Sequence, residues 1–363
     1  MKTILLVGAG HANLEIIKGL NEEDIKKDKF ILISPNETSI YSGLLSRYLM
    51  GDLLEADLKI KLADYAKSKN IEFICAEVLK VDRASKSVLL SNGICVNYDI
   101  ISINLGGTPV GIKSEAPAST IYLKPLNCFI DKWNEIEKKM FDHGNQSFVI
   151  VGGGAAAVEV AASIKVRLIR NKSQGGVIHL ITKGARLGES YSDRVSILLL
   201  QALNKLGVRV HFEEDVQMIH DKFLILKNGE KLNFDYVLIS TALRPVEVQF
   251  EPPLDNAIPQ VNIRLEISDS VFGSGDFVTM KDYPALPKSG VIAVLQGKHL
   301  IKSIRRQIRG LMPLKFVPPK NQLNILLTGA DSALATKGLF YWQGTISKSI
   351  KFWIDQGYMS SFK

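Results

Sequence analysis

The chain reads as an α/β protein built from two Rossmann-like dinucleotide-binding domains followed by a short C-terminal segment. Two observations predict this. A strand–glycine-turn–helix signature occurs twice, and a second, strand-end motif closes each copy. Residues 4–17 read ILLVGAGHANLEII and residues 148–161 read FVIVGGGAAAVEVA. In each, an apolar run that suits a buried parallel strand leads into Gly-x-Gly, and an acidic residue follows five positions after the second glycine. Gly8, Gly10 and Glu15 match Gly152, Gly154 and Glu159 at a constant offset of 144 residues. The closing motifs, YDIISINLGGTP at 98–109 and FDYVLISTALRP at 234–245, lie 136 residues apart. One Gly-x-Gly is weak, but two that share an opening and a closing motif indicate a duplicated βαβ unit.

The elements follow in order. After the first turn, Leu14, Ile17 and Leu20 recur at helical spacing. Phe30–Ile33 is a strand, and Ile71–Val81 pairs with Ser87–Leu90 about a turn at Ala84-Ser85. In the second unit Val177–Ile181 is a strand and Arg194–Leu206 an amphipathic helix stopped by Gly207. Val208–Phe212 is the next strand, and Phe223–Leu232 a hairpin about Asn228-Gly229. Strands alternating with helices imply parallel sheets.

The glycine turns have a chemical purpose. Gly-x-Gly lets the backbone approach a pyrophosphate, and the helix N-terminus behind it supplies N–H donors and the positive dipole end. The third glycine of the full fingerprint, which allows close helix–strand packing, is Asn13 in one unit and Ala157 in the other. Asn13 is bulky for that role. The acid expected at the end of the second strand is missing from both units. Ser34-Pro35, with Glu37 nearby, stands in one; Thr182-Lys183, with Arg186 beyond, stands in the other. Lys183 and Arg186 suit a 2′-phosphate, or are ordinary exposed bases. Glu15 and Glu159 sit one turn into their helices, where Glu159 could face the nucleotide. VFGSGD at 271–276 ends in Asp276, fit to cap a helix or bond a polar ligand.

Composition narrows the class. With 363 residues the length prior is two or three domains. Apolar residues at 46% and charged residues at 23% exclude collagen, coiled-coil and disordered chains. The net charge of +8 is spread along the chain without a recognition motif, so nucleic acid is not expected as a partner. Cys75, Cys95 and Cys128 form neither a metal spacing nor a disulfide framework, which suits a reducing compartment and buried thiols. The histidines show no metal spacing, and no metal is expected. No run approaches the roughly 18 apolar residues of a membrane span. Met1–Val7 is too short in its apolar part for a secretory signal.

These residues resemble the two-domain flavoproteins of the pyridine nucleotide-disulfide oxidoreductase superfamily. Within it they are most similar to type II NADH dehydrogenases and to the related domain sometimes fused in front of selenide, water dikinase. The strings that carry the likeness are GAGHANLEII at 8–17, SPNETSIYSGLLSRYLMG at 34–51, LPKSGVIAVLQG at 286–297 and FWIDQGYMSSF at 352–362. The resemblance implies FAD and NADH or NADPH as cofactors, with hydride passing from the nucleotide to FAD and electrons then to a quinone or another acceptor. It implies that Gly8, Gly10, His11, Ala12 and Asn13 flank the FAD pyrophosphate, Ser34-Pro35 the adenosine ribose and Val78 the adenine. Ser42, Gly43 and Leu44 would lie near the flavin ring, with Asn104, Leu105 and Gly106 in place of the family's Ala-Thr-Gly. Asp276 would hold the ribityl-phosphate arm and Gln296 would approach the isoalloxazine. Gly152, Gly154, Ala155, Glu159, Thr182, Lys183, Thr241 and Ala242 would form the NAD(P)H site.

The departures are informative. The superfamily's redox-active cysteine pair is absent, and the three cysteines do not match those of sulfide:quinone reductases, so a dithiol relay is not expected. Only Gln296 survives of the quinone motif. No side chain is singled out as catalytic; His11 is the nearest candidate and is expected to pack or cap. Ile346, Ile350, Trp353 and Ile354 make one apolar helix face, expected to pack on the protein's own body, with peripheral membrane contact as the other reading. The expected domains are 1–110 with 251–315 for FAD, 111–250 for NAD(P)H, and a segment 316–363. The expected location is cytoplasmic, with a peripheral site on the inner face of the membrane and a homodimer left open. The readings that compete are a non-catalytic flavin or nucleotide sensor and an accessory protein of selenium metabolism.

Overall fold

The computed structural model describes residues 1–110, 117–143, 146–171 and 176–362, without the side chains of 140–143. Two parallel sheets organise it, one for each copy of the repeat. In the first, Thr3–Val7 lies between Lys29–Ser34 and Ile100–Ile103, with Glu72–Cys75 at one edge. The late strand Val271–Gly273 completes the other side, beside Ile100–Ile103, and pairs with Glu266–Ser268. In the second sheet Phe148–Val151 lies between Ile178–Ile181 and Tyr236–Ile239, flanked by Val208–His211 and Thr120–Tyr122. Both central strands are buried throughout their apolar residues, as expected of a parallel strand covered on both faces.

The repeated strand-end motifs meet each other. Gly107–Pro109 and Leu243–Pro245 pair antiparallel, Gly107 opposite Pro245 and Pro109 opposite Leu243. The two crossings between the sheets are therefore tied side by side. Thr241 Oγ1 donates to Val110 O at 3.0 Å, and the Val110 N–H donates to Ala242 O at 2.9 Å.

One sequence expectation needs correction. Ile71–Val81 is not one strand. Glu72–Cys75 belongs to the first parallel sheet, whereas Val78–Asp82 belongs to a separate sheet, antiparallel to Ser87–Leu90 and parallel to Gln249–Glu251, with Cys95–Asn97 at its far edge. The chain changes sheet at Ala76, whose N–H bonds Ser34 O at 3.0 Å. The hairpins about Ala84-Ser85 and Asn228-Gly229 form as expected.

The C-terminal segment is a meander of Leu323–Gly329, Ser332–Lys337 and Phe340–Gly344, followed by the helix Thr345–Ser360. It seals the junction of the two halves. Leu327 and Ala333 share an apolar cluster with Met50 of the first half and Val166 of the second.

The C-terminal helix reverses the expected packing. Ser347, Lys351, Asp355 and Met359, four residues apart, turn inward. Ile346 and Trp353 are 72% and 77% exposed, and Ile354 is also exposed. The reason is the ion network met by the polar face, described below.

Candidate functional site

The first glycine turn is built around two asparagines. Gly8 leaves the strand with φ +85°, and Gly10 is the N-cap of the helix His11–Lys18. A Cβ on Gly10 would fall 2.2 Å from Asn104 Oδ1, so the close approach itself demands glycine. Asn104 is 4% exposed. Its Oδ1 accepts the Ala12 N–H at 3.0 Å, and its Nδ2 donates to Ser274 O at 2.9 Å. It thus clamps the helix start to the late strand.

Asn13 is fully buried. Its Nδ2 donates to Val7 O, Gly8 O and Ser102 O at 3.0, 2.8 and 3.2 Å, and its Oδ1 accepts from Ser102 Oγ at 2.8 Å. Its amide is therefore spent on the strand ends and is not presented to a pyrophosphate. Where the fingerprint uses a third glycine for close packing, this chain uses hydrogen bonds.

Around that turn the structure gathers Asp276, His11, Gln296 and two lysines absent from the sequence reading. Asp276 does not cap a helix; Ser274 holds that position. Asp276 Oδ2 instead accepts from Lys124 Nζ at 2.5 Å, while Lys288 Nζ donates to Asp276 O at 2.8 Å. Gln296 Oε1 accepts the Gly275 N–H at 2.8 Å. Burial, helped by the nearby Lys124 cation, lowers the His11 pKa to about 4, so the ring is neutral above that pH. His11 packs 5.6 Å from the Tyr41 ring, at the entry to the turn Ser42–Leu44. Ser34 is buried and Pro35 exposed at the end of their strand. Val78 is buried in the adjoining sheet of Val78–Asp82 and Ser87–Leu90.

The second turn repeats the plan with more open space. Gly154 is the N-cap of the helix Ala155–Arg170 and is exposed. A Cβ there would meet nothing within 4 Å. Neither this helix nor His11–Lys18 has a capping side chain at its N-cap or an acid in its first turn. At His11–Lys18 the Ala12 N–H is taken by Asn104 Oδ1, and neither first turn carries an acid, so no local negative charge opposes a pyrophosphate at either positive dipole end. Gly106, at φ +79°, likewise has open space where a Cβ would go.

Thr182 lies against this turn, its Oγ1 2.1 Å from where a Gly153 Cβ would be. The bases beyond it are already engaged. Lys183 pairs with Asp215 at 2.9 Å, and Arg186 with Asp193 at 2.5 Å. An acidic residue follows the neighbouring strand Val208–His211 and is bonded to the end of Ile178–Ile181 through its backbone. The Glu214 N–H donates to Thr182 O at 3.0 Å, and its Oε2 is buried without a hydrogen-bond partner among the described residues. Glu214 was not visible in the sequence because strand adjacency, not spacing, brings it there.

Glu159 lies elsewhere than expected. Its Oε1 accepts the Leu327 N–H at 2.8 Å and stands 3.9 Å from Lys351 Nζ. Burial raises its pKa. It faces the C-terminal segment, whose fold the sequence did not disclose.

The sequence profile of the pyridine nucleotide-disulphide oxidoreductase family matches residues 2–297. The chain belongs to this family. A type II NADH:quinone oxidoreductase of Staphylococcus epidermidis is 24% identical over 377 residues, spanning 97% of this chain and 92% of the relative. One from Staphylococcus aureus is 25% identical over 335 residues, spanning 85% and 83%. Among solved structures, the Aquifex aeolicus sulfide:quinone oxidoreductase superposes with a TM-score of 0.85 at 17% identity, covering 100% of this chain and 91% of that one. Plasmodium falciparum NDH2 in complex with NADH gives 0.84 at 16%, covering 99% and 96%. These likenesses share the two-domain fold of FAD- and NAD(P)H-dependent oxidoreductases.

As a member of the family the chain lacks the disulfide of the family's name. Cys75, Cys95 and Cys128 are free, and all three are exposed, contrary to the expectation of buried thiols. Cys75 ends one short strand, Cys95 begins another, and Cys128 lies in the first turn of the helix Leu126–His143, all positions open to solvent. Among the described residues no group of three or more His, Cys, Asp or Glu side chains could hold a metal ion.

Proposed function

We propose that the chain oxidises NADH and reduces a quinone-class acceptor, with FAD between them and no dithiol relay. The observation that carries this reading is the pair of glycine-capped helix N-termini without an acid in the first turn, one on each sheet, in a chain of this family. FAD, when bound, supplies the two-electron chemistry. The turn at Gly8–Ala12, with Ser34-Pro35 and Val78, would hold its adenosine and pyrophosphate. Ser42, Gly43, Asn104, Gly106, Asp276 and Gln296 would line its flavin end. Gly152, Gly154, Ala155, Thr182, Thr241 and Ala242 would receive the nucleotide substrate. The proposal includes the domain division at 1–110 with 251–315, 111–250 and 316–363, which the membership of the two sheets supports.

NADH is favoured over NADPH. Lys183 and Arg186 are paired with Asp215 and Asp193 and so are not free for a 2′-phosphate, and the Glu214 carboxylate beside Thr182 adds negative charge that opposes one. Steady-state oxidation with a water-soluble quinone should give kcat/KM at least about tenfold higher for NADH, a difference of about 1.4 kcal/mol. Equal or reversed preference would refute this assignment.

We also place the outer face of the C-terminal segment on a bilayer surface. Ile346 and Trp353 of the helix and Phe340 and Trp342, on one side of the edge strand, are exposed. Aromatic residues of this kind favour the membrane interface. Among the described residues no helix is long and apolar enough to cross a membrane. This supports peripheral docking, on the cytoplasmic side where NADH is available. A homodimer through the same face would compete with the bilayer for it.

A further inference from the structure

The two halves of the molecule are joined by a polar clasp far along the chain from either glycine turn. The helix that opens the second turn, Ala155–Arg170, packs against the short helix Leu45–Met50 of the first half, where Val166 and Met50 share a buried apolar cluster. Beyond that cluster the contacts are polar. Arg170 Nη1 donates to Met50 O at 2.9 Å and to Asp52 Oδ1 at 2.6 Å. It thereby meets one of the carbonyls at the end of the short helix, where a cation is favoured. Asn134, on the helix Leu126–His143 of the second half, donates to Glu55 Oε2 at 2.7 Å and accepts from Tyr48 Oη at 2.5 Å.

Gly51 shows how closely the two helices approach. It ends the short helix at φ +83°, and the Arg167 guanidinium, paired with Glu137, lies where a Cβ would have to go. Beside these contacts is an open cleft of about 550 Å³, lined by Tyr48, Leu54, Glu55, Asn134, Glu137 and Arg167. On this side the halves are therefore bridged by side chains across open space.

The two clasped helices lead to the two turns. Leu45–Met50 directly follows Ser42–Leu44, and Ala155–Arg170 directly follows Gly154. The 16 residues of the longer helix span about 24 Å. A tilt of about 5° at its clasped end carries its N-terminus about 2 Å. A misplacement of about 1 Å between reacting groups costs on the order of 100-fold in rate.

We propose that Arg170 is a positioning residue for hydride transfer, because its hold on Met50 O and Asp52 fixes the angle at which the nucleotide helix meets the flavin end. The inference rests on the preceding reading that FAD occupies the first turn and NADH the second. Arg170 stands at the opposite end of its helix from Gly154 and acts through that helix. Its side chain is 40% exposed and that of Asp52 22%, so the pair adds little to folding stability. Its effect on geometry is thus separable from its effect on the fold.

Two measurements test this. Cys95 lies on the first half and Cys128 on the second, and both are exposed. With Cys75→Ser as background, spin labels on Cys95 and Cys128 report the separation of the halves in the FAD-reconstituted protein. Arg170→Ala should broaden or shift that distance distribution, and Arg170→Lys, which keeps the charge but not the planar fork, should fall between. In rapid mixing, Arg170→Ala should slow flavin bleaching at saturating NADH about tenfold or more, with Asp52→Asn slowed less. The NADH concentration for half the maximal rate should stay within about twofold, and the urea midpoint should stay close to that of the parent. An unaltered distance distribution overturns the proposal, and so does an unaltered bleaching rate. A rate loss that merely tracks lost stability or lost NADH affinity, the pattern of a structural residue, overturns it too. If Arg170→Ala does not fold, Arg170→Lys and Asp52→Asn give the same two readings. If NADH fails to bleach the parent flavin, the preceding reading fails instead, while the label distances still decide whether Arg170 sets the angle between the halves.

Discussion

Replacing Asn13 by glycine restores the third glycine of the dinucleotide fingerprint, and the structure predicts that it harms the protein. The side chain is fully buried, and its single amide joins three backbone carbonyls and the Ser102 hydroxyl. An Nδ2 has two protons, so the three donor contacts amount to about two full hydrogen bonds, with one accepted bond besides. At about 1 kcal/mol each their loss is about 3 kcal/mol, because the partners stay buried. Glycine in a helix costs about 1 kcal/mol more. Asn13→Gly should therefore destabilise the fold by about 4 kcal/mol and Asn13→Ala by about 3 kcal/mol. Combining Asn13→Ala with Ser102→Ala should recover about 1 kcal/mol relative to the sum of the two, since both lose one shared bond. The assay is equilibrium urea unfolding followed by circular dichroism. If Asn13→Gly lies within about 0.5 kcal/mol of the native chain, the hydrogen-bond account of this turn is wrong and the fingerprint account is right.

Other outcomes follow from the same geometry. Gly154→Val should unfold within about 1 kcal/mol of the native chain, because its Cβ enters open space at an ordinary φ of −77°. It should nevertheless raise the KM for NADH at least about tenfold by filling the approach to the helix N-terminus; an unchanged KM would remove the nucleotide from that turn. His11 and His179 both have folded pKa values lowered from 6.5 to about 4, chiefly by burial. The unfolded chain binds these protons first as pH falls, so stability should drop between pH 6.5 and 4, by up to about 1.4 kcal/mol per unit for each group. His11→Gln should flatten that slope in pH-dependent urea unfolding, and an unaltered slope would contradict the assignment. Trp353→Ser with Ile346→Ser should leave thermal unfolding nearly unchanged and reduce co-sedimentation with anionic vesicles; undiminished sedimentation would place the docking face elsewhere.

The sequence and the structure agree where the determinants are local or repeated. The two glycine turns, their buried strands and the closing Pro109 and Pro245 were legible because backbone geometry restricts which residues can stand there. The pairing of Gly107–Pro109 with Leu243–Pro245 was not legible, although both segments were recognised, because tertiary placement decides it. Asn13 looked like a flaw because a fingerprint records residue types and not their hydrogen bonds. Lys124 lies 152 residues from Asp276, and no spacing rule relates them. The C-terminal helix was read correctly as a helix with an apolar face. Its orientation was misread, because Lys351 finds the Glu159 carboxylate and Asp355 the Tyr41 hydroxyl, both on elements far away in sequence.

The most direct test of the account is the visible spectrum of the purified, FAD-reconstituted protein under anaerobic titration with NADH, followed by a quinone. The account predicts flavin bands that bleach with about one equivalent of NADH, since one hydride carries the two electrons involved, and that return when quinone is added. A protein that stays colourless after reconstitution, or whose bands NADH leaves untouched, would contradict it.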